Sequence, residues 1–493
     1  MSRATVADVL VDGLVRAGTP RVFGAAGAGA SESLPEAARQ RRLEVVWAEG
    51  TAAACIMAAV TGELAGAPGA VLAGSGPELE SAIPGIAHAR HDRAPLIALT
   101  EGAPRARNLL APLTKASLGV DPASAGPAVA QASRLALAAP RGPVHLDLAA
   151  GAARRSALGV ATTAPPAPLP PPDARALDAA ARVLVAAARP VIVAGAQCRA
   201  AEGAKWLWPF AEAVPAPVLV TCKAKGVLPD RHPLNLGLMA EEETAGALLA
   251  RADLIVTLGV EAVEVHGWPV GANVLHVGEA PPAGAPYRPV AQVVGEIGLV
   301  IAELAPRLRG CVRADWDVAE LDRLKRSRRP HQAVPGPGLS FRRAAEIARQ
   351  MAAGGTIAVV DAGEEMLAVA AAWDADAPNE FLASNRLATT GFALPAAIAA
   401  QLAHRERRVV CFTGPPGLAE MAPELGTAAR LALPIVVVVL SAAALAVSAE
   451  GAARRAGLAV ATAGDEEALR EALQRALESR APALVGARVR STV

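Results

Sequence analysis

Residues with reactive side chains are few, and they sit next to glycine-rich turns. Glu49 follows the apolar run Leu43-Glu-Val-Val-Trp47-Ala and precedes an alanine-rich stretch beginning at Thr51. A carboxylate there is placed either for acid-base work at the end of a strand or merely to complement a helix N-terminus. His88 and His91 stand three apart in Ala87-His-Ala-Arg-His-Asp92, a spacing that can begin a metal site. With no other ligand in view, a solvated helix end is the preferred reading. Gly24-Ala-Ala-Gly27-Ala-Gly29 follows a strand-like run but lacks the Gly-x-Gly-x-x-Gly spacing of a dinucleotide loop, so a tight turn is expected. Asp361-Ala-Gly363-Glu364-Glu365 and Gly414-Pro415-Pro416-Gly417 each follow a β-branched run. No Ser/His/Asp triad, zinc signature or phosphate loop is present.

The elements that must hold these residues alternate between two periodicities. Arg408-Val-Val-Cys-Phe-Thr413, a Gly/Pro turn, a helical stretch and Leu433-Pro-Ile-Val-Val-Val-Val-Leu440 make one βαβ unit of a buried parallel sheet. Similar short apolar strands recur from Arg21 to Leu148 and from Pro190 to Val277. The fold class predicted is α/β, with three doubly wound parallel-sheet domains. The first covers 1–155, the central one 173–310 and the last 339–493. The linkers are 156–172, which holds a proline-rich run from Ala161 to Pro172, and 311–338, which is rich in charge, Pro and Gly.

A chain of 493 residues is too long for a single core. Hydrophobic residues make up 53% but aromatic ones only 3%, so Ala, Val and Leu must build the interior by close packing. A net charge of +1 offers no basic footprint for nucleic acid. Cys55, Cys198, Cys222, Cys311 and Cys411 lie in or beside apolar runs without a Cys-x-x-Cys pair. That favours free, buried thiols and a cytoplasmic location. The start of the chain does not read as a secretory signal. The uncharged stretch Leu431 to Ala449 contains Pro434 and four consecutive valines, which favours a buried strand over a membrane span.

Several separated motifs together resemble the thiamine-diphosphate enzymes of the acetolactate synthase (large subunit) group. They are Val22-Phe-Gly-Ala-Ala-Gly27, Gly76-Pro77, Asp92-Arg-Ala-Pro95, Gly142-Pro-Val-His-Leu-Asp147, Thr221-Cys-Lys-Ala-Lys-Gly-Val-Leu-Pro229, Phe392-Ala-Leu-Pro395 and Glu424-Leu-Gly-Thr427. The resemblance covers almost the whole chain and implies pyrimidine-binding, central and diphosphate-binding domains in that order. It implies thiamine diphosphate as cofactor, held through Mg, and a 2-oxo acid as substrate for decarboxylation or carboligation. It makes Glu49 the catalytic glutamate, which hydrogen-bonds the cofactor's aminopyrimidine in a desolvated setting beside Trp47 and Cys55. Gly27, Gly76, Asp361, Gly363, Thr390, Gly391, Gly414 and Gly417 would frame the cofactor. Some members also carry FAD on the central domain, but Gly195-Ala-Gln-Cys-Arg199 is too generic to decide this.

Against that pattern, Pro415 and Ala442 stand where the family has its metal-binding Asp and Asn. Thr390 stands where a large apolar residue props the cofactor. Two carboxylates, Glu364 and Glu365, are added beside the expected phosphate. The expectation is therefore an acetolactate synthase-like chain whose Mg-diphosphate site is impaired or lost. The alternative is a non-catalytic relative, or a subunit lending Glu49 to an intact homologue. Family members pair across subunits, so a homodimer or homotetramer is expected, or a hetero-oligomer with such a homologue.

Overall fold

A computed structural model describes residues 4–25, 32–162, 165, 167–265, 268–269, 271–308, 310, 314–327, 338–385, 389–443 and 445–490. Gly27, Cys311 and most of the Pro/Gly-rich run after Arg329 lie outside the described residues. The described strands form three six-stranded sheets, and all their pairings are parallel.

The first sheet contains β1 (Arg21–Ala25), β2 (Glu44–Ala48), β3 (Gly69–Leu72), β4 (Leu96–Glu101), β5 (Ser117–Val120) and β6 (Val144–Leu148), ordered β2-β1-β3-β4-β6-β5. The second contains β7 (Pro190–Ala194), β8 (Val218–Val220), β9 (Asn235–Leu238), β10 (Leu254–Leu258), β11 (Val274–Gly278) and β12 (Ala291–Val294), ordered β12-β11-β10-β7-β8-β9. The third contains β13 (Ile357–Val360), β14 (Phe381–Ala383), β15 (Val409–Thr413), β16 (Ile435–Ser441), β17 (Ala459–Ala463) and β18 (Ala483–Arg488), ordered β14-β13-β15-β16-β18-β17.

The strands legible in the sequence are mainly the central ones, whose residues are buried on both faces and so read as unbroken apolar runs. Those missing from the reading, β5, β9, β12, β14, β17 and β18, are all at or next to a sheet edge. Ser117-Leu-Gly-Val and Ala459-Val-Ala-Thr-Ala are too short or too polar to stand out. The segment expected to be a linker before residue 338 carries the helix Val318–Ser327, whose Leu321 is buried with Trp316 in the core beneath β9.

In each sheet the chain reverses its winding direction beside one strand, and the crevice at that point faces the carboxyl ends of two neighbours. In the third sheet these neighbours are β13 and β15, in register from Ile357↔Val409 to Val360↔Phe412. Their turns, Asp361 to Gly363 and Gly414 to Gly417, therefore leave the sheet side by side. The turn after β16 lies next to them, because Thr413 pairs with Val439.

Two apolar clusters join the sheets. One packs the helices Thr51–Ala65 and Ala393–Ala403 together between the first and third sheets. Alanine on both helices allows the close approach that the small aromatic content required. The other cluster runs from the second sheet to the third and includes Trp373, Phe381 and Phe412, all fully buried. The stretch Leu431 to Ala449 supplies strand β16, and no described helix is long and apolar enough to cross a membrane. Of the cysteines described, Cys55, Cys198 and Cys411 are buried, Cys222 is half-buried and all are free thiols. Burial alone pushes the Cys55 thiol up to about 12, which keeps it protonated.

Candidate functional site

Asp361 ends β13 with its carboxylate buried. It accepts hydrogen bonds from Thr413 Oγ1 at 2.8 Å, the Phe392 amide at 3.0 Å and the Ala362 amide at 3.2 Å. Burial pushes its pKa up to about 6, and these donors oppose the rise. Gly417 is glycine because a Cβ there would lie 1.9 Å from Asp361 Oδ2 and 2.6 Å from Thr413 Oγ1. Gly391 holds a left-handed φ of +81°, and a Cβ on it would meet Met421 Cγ at 2.7 Å. Asp361, Gly391, Thr413 and Gly417 thus form one brace that ties β13, β15 and the turn before Phe392. Thr390 is exposed in that turn.

Beside the brace, Gly363 and Gly414 are the N-caps of the helices Glu364–Ala372 and Pro415–Met421. Helix starts of this kind offer free N–H groups to anions. The second start is depleted, because Pro415 and Pro416 have no N–H. Glu365 folds back over both caps and is only 6% exposed. Its Oε2 lies 2.4 Å from where a Gly363 Cβ would be, and its Oε1 lies 3.2 Å from the same point on Gly414. Glu364 is exposed in the same first turn.

Between the Gly414 turn and the end of β16 lies a pocket of about 350 Å³, lined by Pro415, Leu418, Val439, Ser441, Ala443 and Leu445 among others. Its polar members are Ser441 and Ser448, and Ser441 already accepts the Ala443 N–H at 3.2 Å. Ala442 is exposed beside it. Among the described residues, no group of three or more His, Cys, Asp or Glu side chains could hold a metal.

Glu49 lies at the end of edge strand β2. Its side chain is 44% exposed, and its nearest cation is Arg430, 3.9 Å away. Within this one chain Glu49 faces outward, and Cys55 is buried a turn deeper in the helix. The partner of this segment is Glu424, which the sequence reading named only within a family motif and not as a site residue. Glu424 accepts the Glu49 amide at 3.1 Å and the Gly50 amide at 2.9 Å, and receives Thr427 Oγ1 at 2.7 Å. It thereby ties the residues that lead into the helix Thr51–Ala65 to the third sheet's side. Its signal in the sequence was a lone acid in an apolar stretch with a Thr three residues on. Gly76, with φ of +88°, caps the helix after β3 in the first sheet, away from the third-sheet turns.

The solvated helix end expected at His88 is not there, because His88 is fully buried. Its Nδ1 lies 3.3 Å from Thr389 Oγ1 and its Nε2 lies 3.8 Å from Asp92. Burial holds it below the usual imidazole range. Around it lies an ionic junction between the first two domains, which the third joins through the Asn385 amide on Asp92 at 2.9 Å. Lys223 Nζ reaches Glu63 at 2.6 Å and Asp92 at 2.9 Å, and Arg199 reaches Glu63 at 2.9 Å. On the second sheet, the Glu264 carboxylate occupies the amide of Ala196 at 3.1 Å, and burial raises its pKa to about 7. A pocket of about 630 Å³ opens next to it, with Arg93, Arg141, Arg199, Glu261 and Glu279 in its walls.

Three family models match the chain in order. They are the N-terminal TPP binding domain of thiamine pyrophosphate enzymes over residues 4–119, the central domain over 177–304, and the C-terminal TPP binding domain over 361–450. The chain belongs to the thiamine pyrophosphate enzyme family. Within that family its sequence relatives include acetolactate synthases. The large subunit of acetolactate synthase isozyme 1 from Escherichia coli (strain K12) is 28% identical over 408 residues, which is 76% of this chain and 70% of that protein. Acetolactate synthase of Bacillus subtilis (strain 168) is 28% identical over 460 residues, 88% of this chain and 80% of that one.

The fold is also that of two solved structures. A putative thiamin diphosphate-dependent enzyme from Mycobacterium smegmatis superposes with a TM-score of 0.85 at 23% identity, covering 99% of this chain and 100% of the other. The thiamine diphosphate-dependent 4-hydroxybenzoylformate decarboxylase of Rhodococcus jostii RHA1 superposes with a TM-score of 0.84 at 20% identity, covering 99% of each.

Proposed function

We propose that this chain is an acetolactate synthase-like member of its family that has lost the Mg-diphosphate half of the cofactor site and keeps the pyrimidine half. The supporting observation is the wall between β15 and β16. Magnesium needs hard oxygen ligands, usually carboxylates together with phosphate and water. Here Pro415, Leu418, Val439 and Leu445 line the pocket instead, and Ala442 offers no side-chain oxygen. The residues present do not fit a metal-held diphosphate. Calorimetric titration with thiamine diphosphate, with and without Mg, tests this. The expected result is no binding at millimolar cofactor in either case, and metal-dependent binding would overturn the reading.

The function that follows is that of a subunit rather than a self-sufficient enzyme. Glu49 is 44% exposed at the end of β2, where a second chain can reach it. Paired with a homologue that retains the metal ligands, this chain would supply the glutamate facing the pyrimidine. The substrate class of such a pair is the 2-oxo acid implied by the family. Glu49→Gln is expected to abolish the activity contributed by the mixed complex and to leave the homologue's own homo-oligomer unaffected. Equal turnover by the wild-type and Glu49→Gln mixed complexes would exclude a role for this carboxylate.

A further inference from the structure

A pocket of about 320 Å³ lies at the joint between the second and third domains and shares no lining residue with the turns after β13 and β15. Its size falls in the range of roughly 300–1,000 Å³ that holds small metabolites. From the third domain comes the helix Phe341–Met351, which buries Phe341, Ala344, Ala345 and Ala348. Arg342, Glu346 and Arg349, spaced i, i+4 and i+7, form the neighbouring stripe and line the pocket. From the second domain come Lys225 and Asp230, in the turn after β8, and Lys325 of the helix Val318–Ser327. Ala371 and Ala372, at the end of the helix Glu364–Ala372, leave the space open because their side chains are small.

The charges in these walls do not balance. Lys225, whose side chain is 3% exposed, is matched by Asp230 at 2.6 Å. Glu346 is shared by Arg342 at 3.1 Å and Arg343 at 3.3 Å. Arg349 has no carboxylate within 4 Å among the described residues. Its Nε donates to the Asp374 carbonyl at 3.0 Å, its Nη1 donates to the Ala352 carbonyl at 3.3 Å, and its guanidinium lies 5.4 Å from the centre of the Trp373 ring. Two neutral carbonyls and an aromatic face fix the plane of this cation without cancelling its charge. Lys325 Nζ brings a further cation, donating to the His232 carbonyl. The third carboxylate of the walls, Asp374, is exposed, where solvent and salt screen it. A guanidinium held in one plane is the side chain best suited to an oxyanion.

We propose that this pocket binds a small oxyanionic metabolite, a phosphate ester or a short dicarboxylate, seated on Arg349 with Arg342 and Lys325 beside it. Because these cations come from two domains, the bound anion bridges the joint that Lys225, Asp230 and the Ala375 amide already close.

The test titrates the full chain by calorimetry with inorganic phosphate and, separately, with succinate, at constant ionic strength. The proteins are the wild type, Arg349→Gln and a charge-matched surface control, Arg475→Gln; Arg475 is exposed and pairs with Glu471 of its own helix. Wild type and control are expected to bind at least one probe saturably, and the preferred probe separates phosphate ester from dicarboxylate. Arg349→Gln should bind that probe at least about tenfold more weakly, the loss of a charge-assisted hydrogen bond. If Arg349→Gln does not fold, as judged by circular dichroism, Arg342→Gln replaces it with the same expectation. No saturable binding of either probe by the wild type would overturn the proposal. So would equal affinity in the wild type and the pocket variant, or a loss as large in Arg475→Gln. Neither probe involves thiamine or a metal, so the outcome is independent of whether the cofactor loads.

Discussion

Glu63 sits between two cations, with Lys223 at 2.6 Å and Arg199 at 2.9 Å. Burial raises its pKa, but the two cations more than offset this and hold it at about 2, against an ordinary value of 4.5. A carboxylate with a depressed pKa in the folded state stabilises that state above its unfolded pKa and loses the effect as pH falls toward the folded value. The wild type should therefore lose on the order of 2–3 kcal/mol from this group between about pH 5 and pH 2. Glu63→Gln should be less stable at pH 7 and show a flatter dependence over that window, as measured by urea denaturation at a series of pH values. Equal slopes for the two proteins would show that Glu63 does not carry the effect. None of this could be read from Glu63 in the sequence, where it is one acid in an alanine-rich helix. Its partners lie 136 and 160 positions away.

The segment Thr221 to Pro229 is one of the motifs that carry the family resemblance, and the structure gives it a mechanical explanation. Lys225 Nζ holds Asp230 at 2.6 Å, and the same carboxylate oxygen accepts the Ala375 amide at 2.8 Å. Between them Gly226, with φ of +88°, lies against the backbone of Ala377, where a Cβ would stand 2.2 Å from the carbonyl oxygen. The signature is a hinge-free joint between the second and third sheets. Gly226→Ala combines a left-handed backbone with a backbone clash, so a loss of more than about 2 kcal/mol is expected. Chemical denaturation would measure it, and a loss below about 0.5 kcal/mol would show that the joint relaxes freely. Elements with strong apolar periodicity, such as β15 and β16, were legible because their burial is written along the chain. The strands β12, β14 and β17 were not, because an edge strand needs only a neighbour's free hydrogen-bonding groups to form.

Across the whole molecule, Lys223 connects the second sheet's domain to the first through Glu63 and Asp92, with charges that are almost entirely removed from water; it is 5% exposed itself. Removing one member of such a group leaves the others buried without compensation, at a cost of about 3–5 kcal/mol. Lys223→Ala should accordingly loosen the first and second domains from one another, so that calorimetric unfolding broadens or splits relative to the wild type. A variant that melts as one sharp transition at the wild-type temperature would mean the apolar clusters alone couple them. The three-sheet plan, the family and the residue types at Pro415 and Ala442 all follow from the order of residues, because each depends on neighbours in the chain or on residue identity at one place. The burial of His88, the tie of Glu424 to the Glu49 and Gly50 amides and the placing of Glu365 beside Gly363 and Gly414 do not. They depend on which surfaces meet after folding, and burial, which sets the charge of a carboxylate or an imidazole, exists only once distant segments have closed around it.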